Sequence, residues 1–168
     1  MSDLHADKVS VAFAGLMAIA EVDLTVSSGR IVGLIGPNGA GKTTLVNVLT
    51  GFQAATHGAV TLDGRRLSGL KPNEVRRRGI ARTFQTPRII GEATVLQNVQ
   101  IGGTTKGRGS FLESLLSLRR HRQDEARLEA DAMSALRAVG LEGLAAIRAD
   151  RLQHSELRFV EIARALVL

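Results

Sequence analysis

Polar and apolar residues alternate in several short stretches of the first part of the chain, which predicts half-buried strands. The alternation covers residues 9–13 and 22–26, and a turn follows at 27–29. A third stretch at 60–62 runs into Asp63-Gly64, a dipeptide typical of a hairpin turn. This pattern predicts an antiparallel portion of a sheet.

A different pattern occupies residues 31–35, which are apolar without interruption, as in a parallel strand that is covered on both faces. Leu45, Val48 and Leu49 then recur at helical spacing, and Gly51 is placed to end that helix. We expect a strand, a glycine-rich loop and a helix in that order.

The chain changes character near residue 104, where a strand-rich portion gives way to a helical one. Pro72 is placed to open a short helix that ends at Gly79, and residues 80–84 are predicted to return as a strand. The glycine-rich segment 102–109 then separates the two portions. The predicted parts are an α/β core over 1–103, a helical subdomain over 104–154 and a final helix over 155–168.

Three helices are predicted in the second portion from apolar residues at helical spacing. The first opens with Ser110 and Glu113 at capping-box spacing. Its apolar stripe is Phe111, Leu112, Leu115, Leu116 and Leu118. The second helix has Leu128, Ala132, Leu136 and Val139 and stops at Gly140. The third begins near Ser155 and is expected to bury Phe159, Ile162, Ala163 and Leu166.

Composition fits one soluble α/β unit with a single sizeable core, since 44% of the 168 residues are hydrophobic and 23% are charged. Lys and Arg number 22 against 16 Asp and Glu, so the net charge is +6. The basic clusters at 76–78 and 119–122 are interpreted as solvated faces, because no Trp or Tyr is present to stack on bases. We expect no nucleic-acid partner.

Cysteine is absent, which excludes disulfides and a cysteine nucleophile and fits a reducing compartment such as the cytoplasm. Residues 9–20 are as apolar as a signal-peptide core, but Asp3 and Asp7 precede them against Lys8, so a signal peptide is not expected. No stretch reaches the ~18 to 20 apolar residues that cross a bilayer, so a membrane role requires a partner.

The strongest chemical signal is a phosphate-binding loop of the pattern G-x-x-x-x-G-K-[ST]. It consists of Gly36, Pro37, Asn38, Gly39, Ala40, Gly41, Lys42, Thr43 and Thr44. Glycines let successive backbone N–H groups turn toward phosphate oxygens, and the helix N-terminus adds its partial positive charge. Lys42 is expected to reach the β- and γ-phosphates of a nucleoside triphosphate, with the Thr43 hydroxyl on Mg²⁺.

Five stretches together resemble the ATP-binding subunits of ABC transporters, specifically the branched-chain amino acid uptake group. They lie at residues 31–45, 49–52, 79–85, 94–99 and 161–166, so the resemblance covers essentially the whole chain. It implies an α/β fold of the phosphate-loop NTPase class, with a mixed sheet core, an antiparallel addition and a helical subdomain. It also implies ATP hydrolysis coupled to import.

The same resemblance implies roles for individual residues. Phe13 is expected to stack on adenine, with a core position on its strand as the alternative. Thr44 is expected to donate to the α-phosphate, and Gln85 to act in catalysis by helping to hold Mg²⁺. In the family, two such subunits, identical or different, form a sandwich around ATP and bind transmembrane permease subunits at the inner face of the cytoplasmic membrane.

The signature motif, which in this family contacts the ATP of the partner subunit, is degenerate here. It consists of Gln153, His154, Ser155 and Glu156. Gln153 replaces a Ser whose hydroxyl contacts the γ-phosphate, and Ser155 replaces a Gly that lets the backbone approach it. Ser155 is still expected to cap the following helix, so weakened rather than absent function is predicted.

The chain stops at Leu168, before the strand ending in Asp-Glu and the histidine loop that carry hydrolysis in the family. Without these strands we expect a core face and sheet edges to be uncovered. Asp63 is not a substitute, because the hairpin turn explains it better. The alternatives are a truncated, non-hydrolysing nucleotide-binding module, and a small-molecule kinase, for which no acceptor site is evident.

Overall fold

The computed structural model describes residues 3–103 and 118–168, but not the side chains of residues 118–123. The chain forms two compact units, Met1–Ile80 and Ala81–Leu168. The stripe predicted for the helix after Ser110 lies outside the described residues. The division into 1–103, 104–154 and 155–168 stays a prediction.

The first unit is built on a four-stranded antiparallel sheet with the strand order β2-β1-β3-β4. The strands are β1 (Leu4–Phe13), β2 (Leu16–Val26), β3 (His57–Leu62) and β4 (Arg65–Arg66). The three strands predicted from alternation are confirmed, and each is longer than its alternating stretch. Backbone pairing with a neighbouring strand does not require an apolar side chain, and so it continues beyond the alternation.

The turn between β3 and β4 consists of Asp63 and Gly64, whose φ angles are 51° and 72°. A two-residue hairpin turn of this kind requires positive φ at both positions. The Asp63 carboxylate accepts a hydrogen bond from the Asp3 N–H at 2.8 Å and ties the turn to the start of β1. The hairpin interpretation of Asp63 is therefore confirmed.

Helices α1 (Lys42–Leu49) and α2 (Pro72–Arg77) complete the core of this unit, and both confirm predicted helices. Gly51 and Gly79 follow them with φ of 76° and 103°, as expected of residues that end a helix. The buried core side chains are Ala6, Val9, Val11, Ile19, Leu45, Val48, Val60, Leu67 and Val75. Each buried Val, Ile or Leu contributes roughly 1.5 to 3 kcal/mol of transfer free energy.

Residues 31–35 do not form the parallel strand that their apolar run predicts. They are irregular, and Ile31 and Ile35 are 101% and 93% exposed. A strand needs a neighbour to satisfy its N–H and C=O groups, and no strand of the described sheet pairs with this segment. An apolar run thus indicates a preference for burial but does not supply the partner that buries it.

The second unit is a helical one in its described part, with α3 (Val95–Gly103), α4 (Leu118–Ala138) and α5 (His154–Leu166). Short 3-10 helices at Glu142–Leu144 and Ala149–Arg151 lie between α4 and α5. The helices share a core of Val95, Val99, Ala132, Ala135, Leu136, Leu141, Val160, Ala163 and Val167. The helix predicted to stop at Gly140 is confirmed as α4.

The start of α3 has a local cause, whereas its last turn is shaped by contact with α5. At its start the Thr94 N–H donates to Gln97 Oε1 at 2.9 Å, and the Gln97 N–H donates to Thr94 Oγ1 at 3.1 Å, a reciprocal cap. At its end a Cβ on Gly102 would overlap the Arg164 carbonyl oxygen and lie 3.0 Å from Arg164 Cγ. Gly102 and Gly103 are therefore part of a helix packing surface and not of the predicted linker.

Two predictions for this region are wrong. Residues 80–84 form no strand, and the Phe84 N–H donates to the Glu161 carboxylate at 3.3 Å instead. The third helix begins at His154, close to the prediction, but among the four side chains expected to be buried, only Ala163 is. The exposed ones are Phe159, Ile162 and Leu166. Two apolar stripes run along α5, and packing against α3 and α4 selects the other one.

Asn98 on α3 is expected to be a major determinant of the stability of the second unit. Its Oδ1 accepts the Ile90 N–H at 2.9 Å, and its Nδ2 donates to the carbonyl oxygens of Ile90 and Thr94 at 2.9 and 3.0 Å. The Asn98 side chain is fully buried, and Asn98→Ala removes both its packing and the partner of these backbone groups, so we expect a loss of about 2 to 4 kcal/mol in urea denaturation.

The control is Gln100→Ala on the same helix, where the half-buried side chain makes no described hydrogen bond. It is expected to change the free energy of unfolding by less than about 0.5 kcal/mol. Equal losses in the two variants would show that the hydrogen bonds of Asn98 add nothing to the stability of the unit.

Candidate functional site

The phosphate loop enters α1 at a point of close contact with the sheet. Gly41 directly precedes α1 with φ of 81°. A Cβ at this position would overlap Ile19 Cγ2 and lie 2.6 Å from the Ala18 carbonyl oxygen of β2. Only glycine combines this backbone conformation with this distance from a neighbouring strand.

Lys42 closes the loop on itself. Its Nζ donates to the carbonyl oxygens of Gly36 and Pro37 at 2.7 and 2.6 Å. Inside the loop the Ala40 N–H donates to the Pro37 carbonyl oxygen at 3.3 Å. An ammonium has three N–H donors, so two bonds to the loop fix the direction of the third. The loop therefore holds a positive charge in a defined position.

The first turn of α1 adds backbone donors beside this charge. The Leu45 N–H donates to the Gly41 carbonyl oxygen at 2.9 Å, which is the start of the helical ladder. The N–H groups that precede it in a helix have no acceptor within the helix, and together with the helix dipole they favour an anion. The Thr43 side chain is exposed on the same turn.

These residues fit a nucleoside triphosphate with Mg²⁺. A Cβ on Gly36 would lie 3.4 Å from Ala40 Cβ and 4.0 Å from Lys42 Cδ, so this glycine lies beside the lysine within the loop. Backbone donors and an ammonium suit phosphate oxygens, and the Thr43 hydroxyl is an oxygen ligand of the type that Mg²⁺ prefers. In the described part of the chain no cluster of three or more His, Asp or Glu residues is placed to hold a metal.

Phe13 lies at the last position of β1 and pairs with Leu16 across the tight turn to β2. Its side chain is 49% exposed, so the alternative of a core phenylalanine is wrong. Leu16 and Met17 are exposed beside it in the strand pairing. The end of this hairpin therefore offers an aromatic face and apolar side chains to a planar ligand.

Gln85 belongs to the second unit and has an exposed side chain. Directly before it the Phe84 ring contacts two guanidinium groups, Arg82 at 5.1 Å and Arg88 at 4.8 Å from the ring centroid. Both distances are within the range of cation–π contacts. Burial lowers the pKa of the Arg82 guanidinium, because burial disfavours its charged form.

Glu161 and Arg164 of α5 form an ion pair that none of the predicted site roles includes. Arg164 Nη2 lies 3.1 Å from Glu161 Oε1, and Glu161 is only 3% exposed. The Glu161 carboxylate also accepts the Phe84 N–H, next to Gln85. The i, i+3 spacing of opposite charges on a helix was the available signal, but it does not distinguish a buried pair from an exposed one.

The degenerate signature motif forms the start of α5. Gln153 occupies the N-cap position, and its N–H donates to the Glu156 carboxylate at 2.7 Å. Ser155 lies within the first turn, so the predicted cap by Ser155 is wrong. A few residues before α5, Arg148 Nη2 donates a hydrogen bond to Asp150 Oδ2 at 2.5 Å. This hydrogen bond holds the pKa of the Asp150 carboxyl below its ordinary value.

The loop, the lysine and the helix start define a protein of the phosphate-loop class. More specifically, the chain belongs to the ABC transporter family, which it matches over residues 19–168. None of the helices in the described ranges is long and apolar enough to span a bilayer.

Curated relatives narrow the comparison. The chain is 35% identical to the high-affinity branched-chain amino acid transport ATP-binding protein BraF of Pseudomonas aeruginosa, over 98% of this chain and 64% of that protein. It is 38% identical to the corresponding LivG protein of Salmonella typhimurium, over 92% of this chain and 61% of that protein. The chain thus spans less than two thirds of the length of these relatives.

Solved structures agree with the family. An ATP-binding cassette of an ABC transporter in its ADP conformation is 36% identical, with a TM-score of 0.81 over 99% of this chain and 65% of that one. A nucleotide-free cassette is also 36% identical, with a TM-score of 0.79 over the same shares. The expected fold class is confirmed, although the segment at 31–35 is not a strand here.

Proposed function

We propose that this chain acts as the ATP-binding subunit of an importer of branched-chain amino acids, in which ATP binding and hydrolysis drive transport. The observation that carries the proposal is the identity of 35% and 38% to proteins named for that transport, extending over nearly all of this chain. The chemistry of the phosphate loop supports it, because the lysine that begins α1 donates two hydrogen bonds to its own loop.

In this proposal the described residues have distinct tasks at the nucleotide. Lys42 neutralises the β- and γ-phosphates, and the backbone donors of the loop orient them. Thr44 donates to the α-phosphate. The Thr43 hydroxyl and the Gln85 amide oxygen would help to hold Mg²⁺, which supplies charge neutralisation for phosphoryl transfer when bound.

The proposed assembly places two ATP-binding subunits, of one or two kinds, against transmembrane permease subunits at the inner face of the cytoplasmic membrane. The start of α5 would face the nucleotide of the partner subunit. Gln153 and Ser155 present larger groups there than the Ser and Gly of the family motif, so we propose a weakened contact. A non-hydrolysing nucleotide-binding module is the alternative, and no comparison supports it better than the transporter subunit.

Uptake measurements test the transport proposal. Cells in which Lys42→Ala replaces the native residue are expected to take up labelled leucine, isoleucine and valine at least about 10-fold more slowly, because phosphoryl transfer needs the lysine. Uptake of a labelled basic amino acid in the same cells is the control. Unchanged uptake of all three branched-chain amino acids would exclude them as the cargo.

Phe13→Ala is expected to weaken binding of ATP by about 5- to 150-fold, since a base stacked on an aromatic ring gains roughly 1 to 3 kcal/mol. The binding of inorganic triphosphate should not change, because it has no base. The matched control is Phe52→Ala, which removes an equally exposed phenylalanine of the same unit. If both variants bind ATP like the original chain, Phe13 is not the stacking residue.

A further inference from the structure

The segment from Phe84 to Arg88 is fastened at both ends to one turn of α5. At one end the Phe84 N–H donates to Glu161 Oε2 at 3.3 Å. At the other end Arg164 Nη1 donates to the Arg88 carbonyl oxygen at 2.5 Å. Glu161 and Arg164 are joined to each other at 3.1 Å. We call this arrangement the Glu161–Arg164 staple.

Burial makes the staple rigid. A carboxylate that is only 3% exposed needs a partner, because an unpaired buried charge is strongly destabilising. Arg164, with a side chain that is 18% exposed, is that partner. Its planar guanidinium directs one nitrogen to Glu161 and another to the Arg88 carbonyl oxygen, which a lysine ammonium on its flexible stem does less well. The backbone of Arg164 also packs closely against Gly102 of α3, where a Cβ would overlap the Arg164 carbonyl oxygen.

Gln85 lies between the two fixed ends, followed by Thr86 and Pro87. Pro87 restricts the segment further, because its ring locks φ. Beyond the staple, Asn98 binds both backbone groups of Ile90 at 2.9 Å. The backbone around Gln85 is therefore tied on both sides while its side chain remains exposed.

We propose that Glu161 and Arg164 are positioning residues for Gln85. The staple holds the backbone of Gln85 in one place relative to α5, so its amide meets a ligand without a prior ordering step. Since the degenerate signature motif is the first turn of the same helix, a shift of α5 along its axis moves Gln85 with it. The consequence for turnover rests on the proposed function, whereas the staple itself does not.

Hydrogen exchange of the full chain tests the staple without nucleotide. Arg164→Met alone would leave the Glu161 charge buried and unpaired, so the main variant is the double substitution Glu161→Gln with Arg164→Met. We expect the backbone amides of residues 84–90 other than Pro87, and above all the Phe84 amide that donates to Glu161, to exchange about 10-fold faster. Those of residues 132–136 in α4 should remain unchanged. The matched control, Arg137→Met, removes an exposed arginine of the same unit and should change neither segment.

Equal exchange of residues 84–90 in the double variant and the original chain would overturn the staple. If exchange in α4 also rises in the double variant, the unit has loosened as a whole and Arg164→Lys decides. That variant keeps the positive charge but lacks the fork of donors. Faster exchange confined to residues 84–90 in Arg164→Lys supports the proposal, and its absence contradicts it.

Turnover measurements test the effect on Gln85. In the double variant we expect kcat to fall about 10-fold and the Mg²⁺ concentration for half-maximal activity to rise about 5-fold, with KM for ATP within about twofold. A merely structural role would reduce the amount of active protein and leave the Mg²⁺ requirement unchanged, which would overturn the positioning role. If the unchanged chain has no turnover, the proposed hydrolysis fails, and the exchange result alone decides the staple.

Discussion

Replacing Lys42 with alanine is expected to weaken binding of MgATP by about 100-fold, which corresponds to about 2.8 kcal/mol. The ammonium makes charge-assisted hydrogen bonds to phosphate oxygens, and each such bond contributes about 1.5 to 3 kcal/mol. Its two bonds to the carbonyl oxygens of Gly36 and Pro37 hold it in place for this task. Because the loop is exposed, these oxygens bond to water in the variant, and we expect stability to change by less than about 1 kcal/mol.

Equilibrium titration with a fluorescent ATP analogue measures this loss, and urea denaturation measures stability in parallel. Lys71→Ala is the matched control, because it removes the same charge from an exposed position of the same unit outside the loop. It should bind the analogue within about twofold of the original chain. Equal affinity of the Lys42→Ala variant and the original chain would mean that nucleotide binds elsewhere.

Gly41→Ala is expected to lower the free energy of unfolding of the first unit by about 3 kcal/mol and to abolish nucleotide binding. Two effects add. A residue other than glycine with φ of 81° is strained by roughly 1 to 2 kcal/mol. Its Cβ would also overlap Ile19 Cγ2 and lie too close to the Ala18 carbonyl oxygen. Overpacking costs typically 1 to 3 kcal/mol. The Ala18 part of the obstruction is backbone of β2, which a rotamer change cannot relieve, so the loop has to move instead.

Gly39→Ala separates the two effects. Gly39 has almost the same φ, 83°, but a Cβ there would meet no atom within 4 Å. We therefore expect a loss of about 1 kcal/mol from backbone strain alone. Urea denaturation of both variants gives the comparison. If Gly39→Ala costs as much as Gly41→Ala, contact with β2 is not the reason for the glycine.

The parts of this fold that could be predicted are those whose cause lies within a few neighbouring residues. The hairpin turn at Asp63-Gly64 needs two residues that tolerate positive φ, and both stand in the sequence. The helix from Pro72 follows for the same kind of reason, since proline fits the first helical position. The phosphate loop was also predictable, because its glycines and Lys42 act on the backbone of the loop itself.

Three of the failures concern the choice of a partner. The apolar run at 31–35 indicates burial, but a strand exists only where another strand accepts its hydrogen bonds. The segment 80–84 fails in the same way, and its Phe84 N–H is paired with a carboxylate 77 positions along the chain. The two stripes of α5 have similar periodicity, and nothing local distinguishes the one with Phe159 from the one with Val160.

By itself the sequence determined the class of the protein, its phosphate loop and most of its helices, because these depend on short-range backbone geometry and on residue types at fixed spacing. Tertiary structure alone decided that Gly41 lies against β2, that Phe13 is exposed, and that Glu161 and Arg164 hold the segment around Gln85. Such features depend on which distant residues meet, and a local pattern of polar and apolar positions does not contain that information.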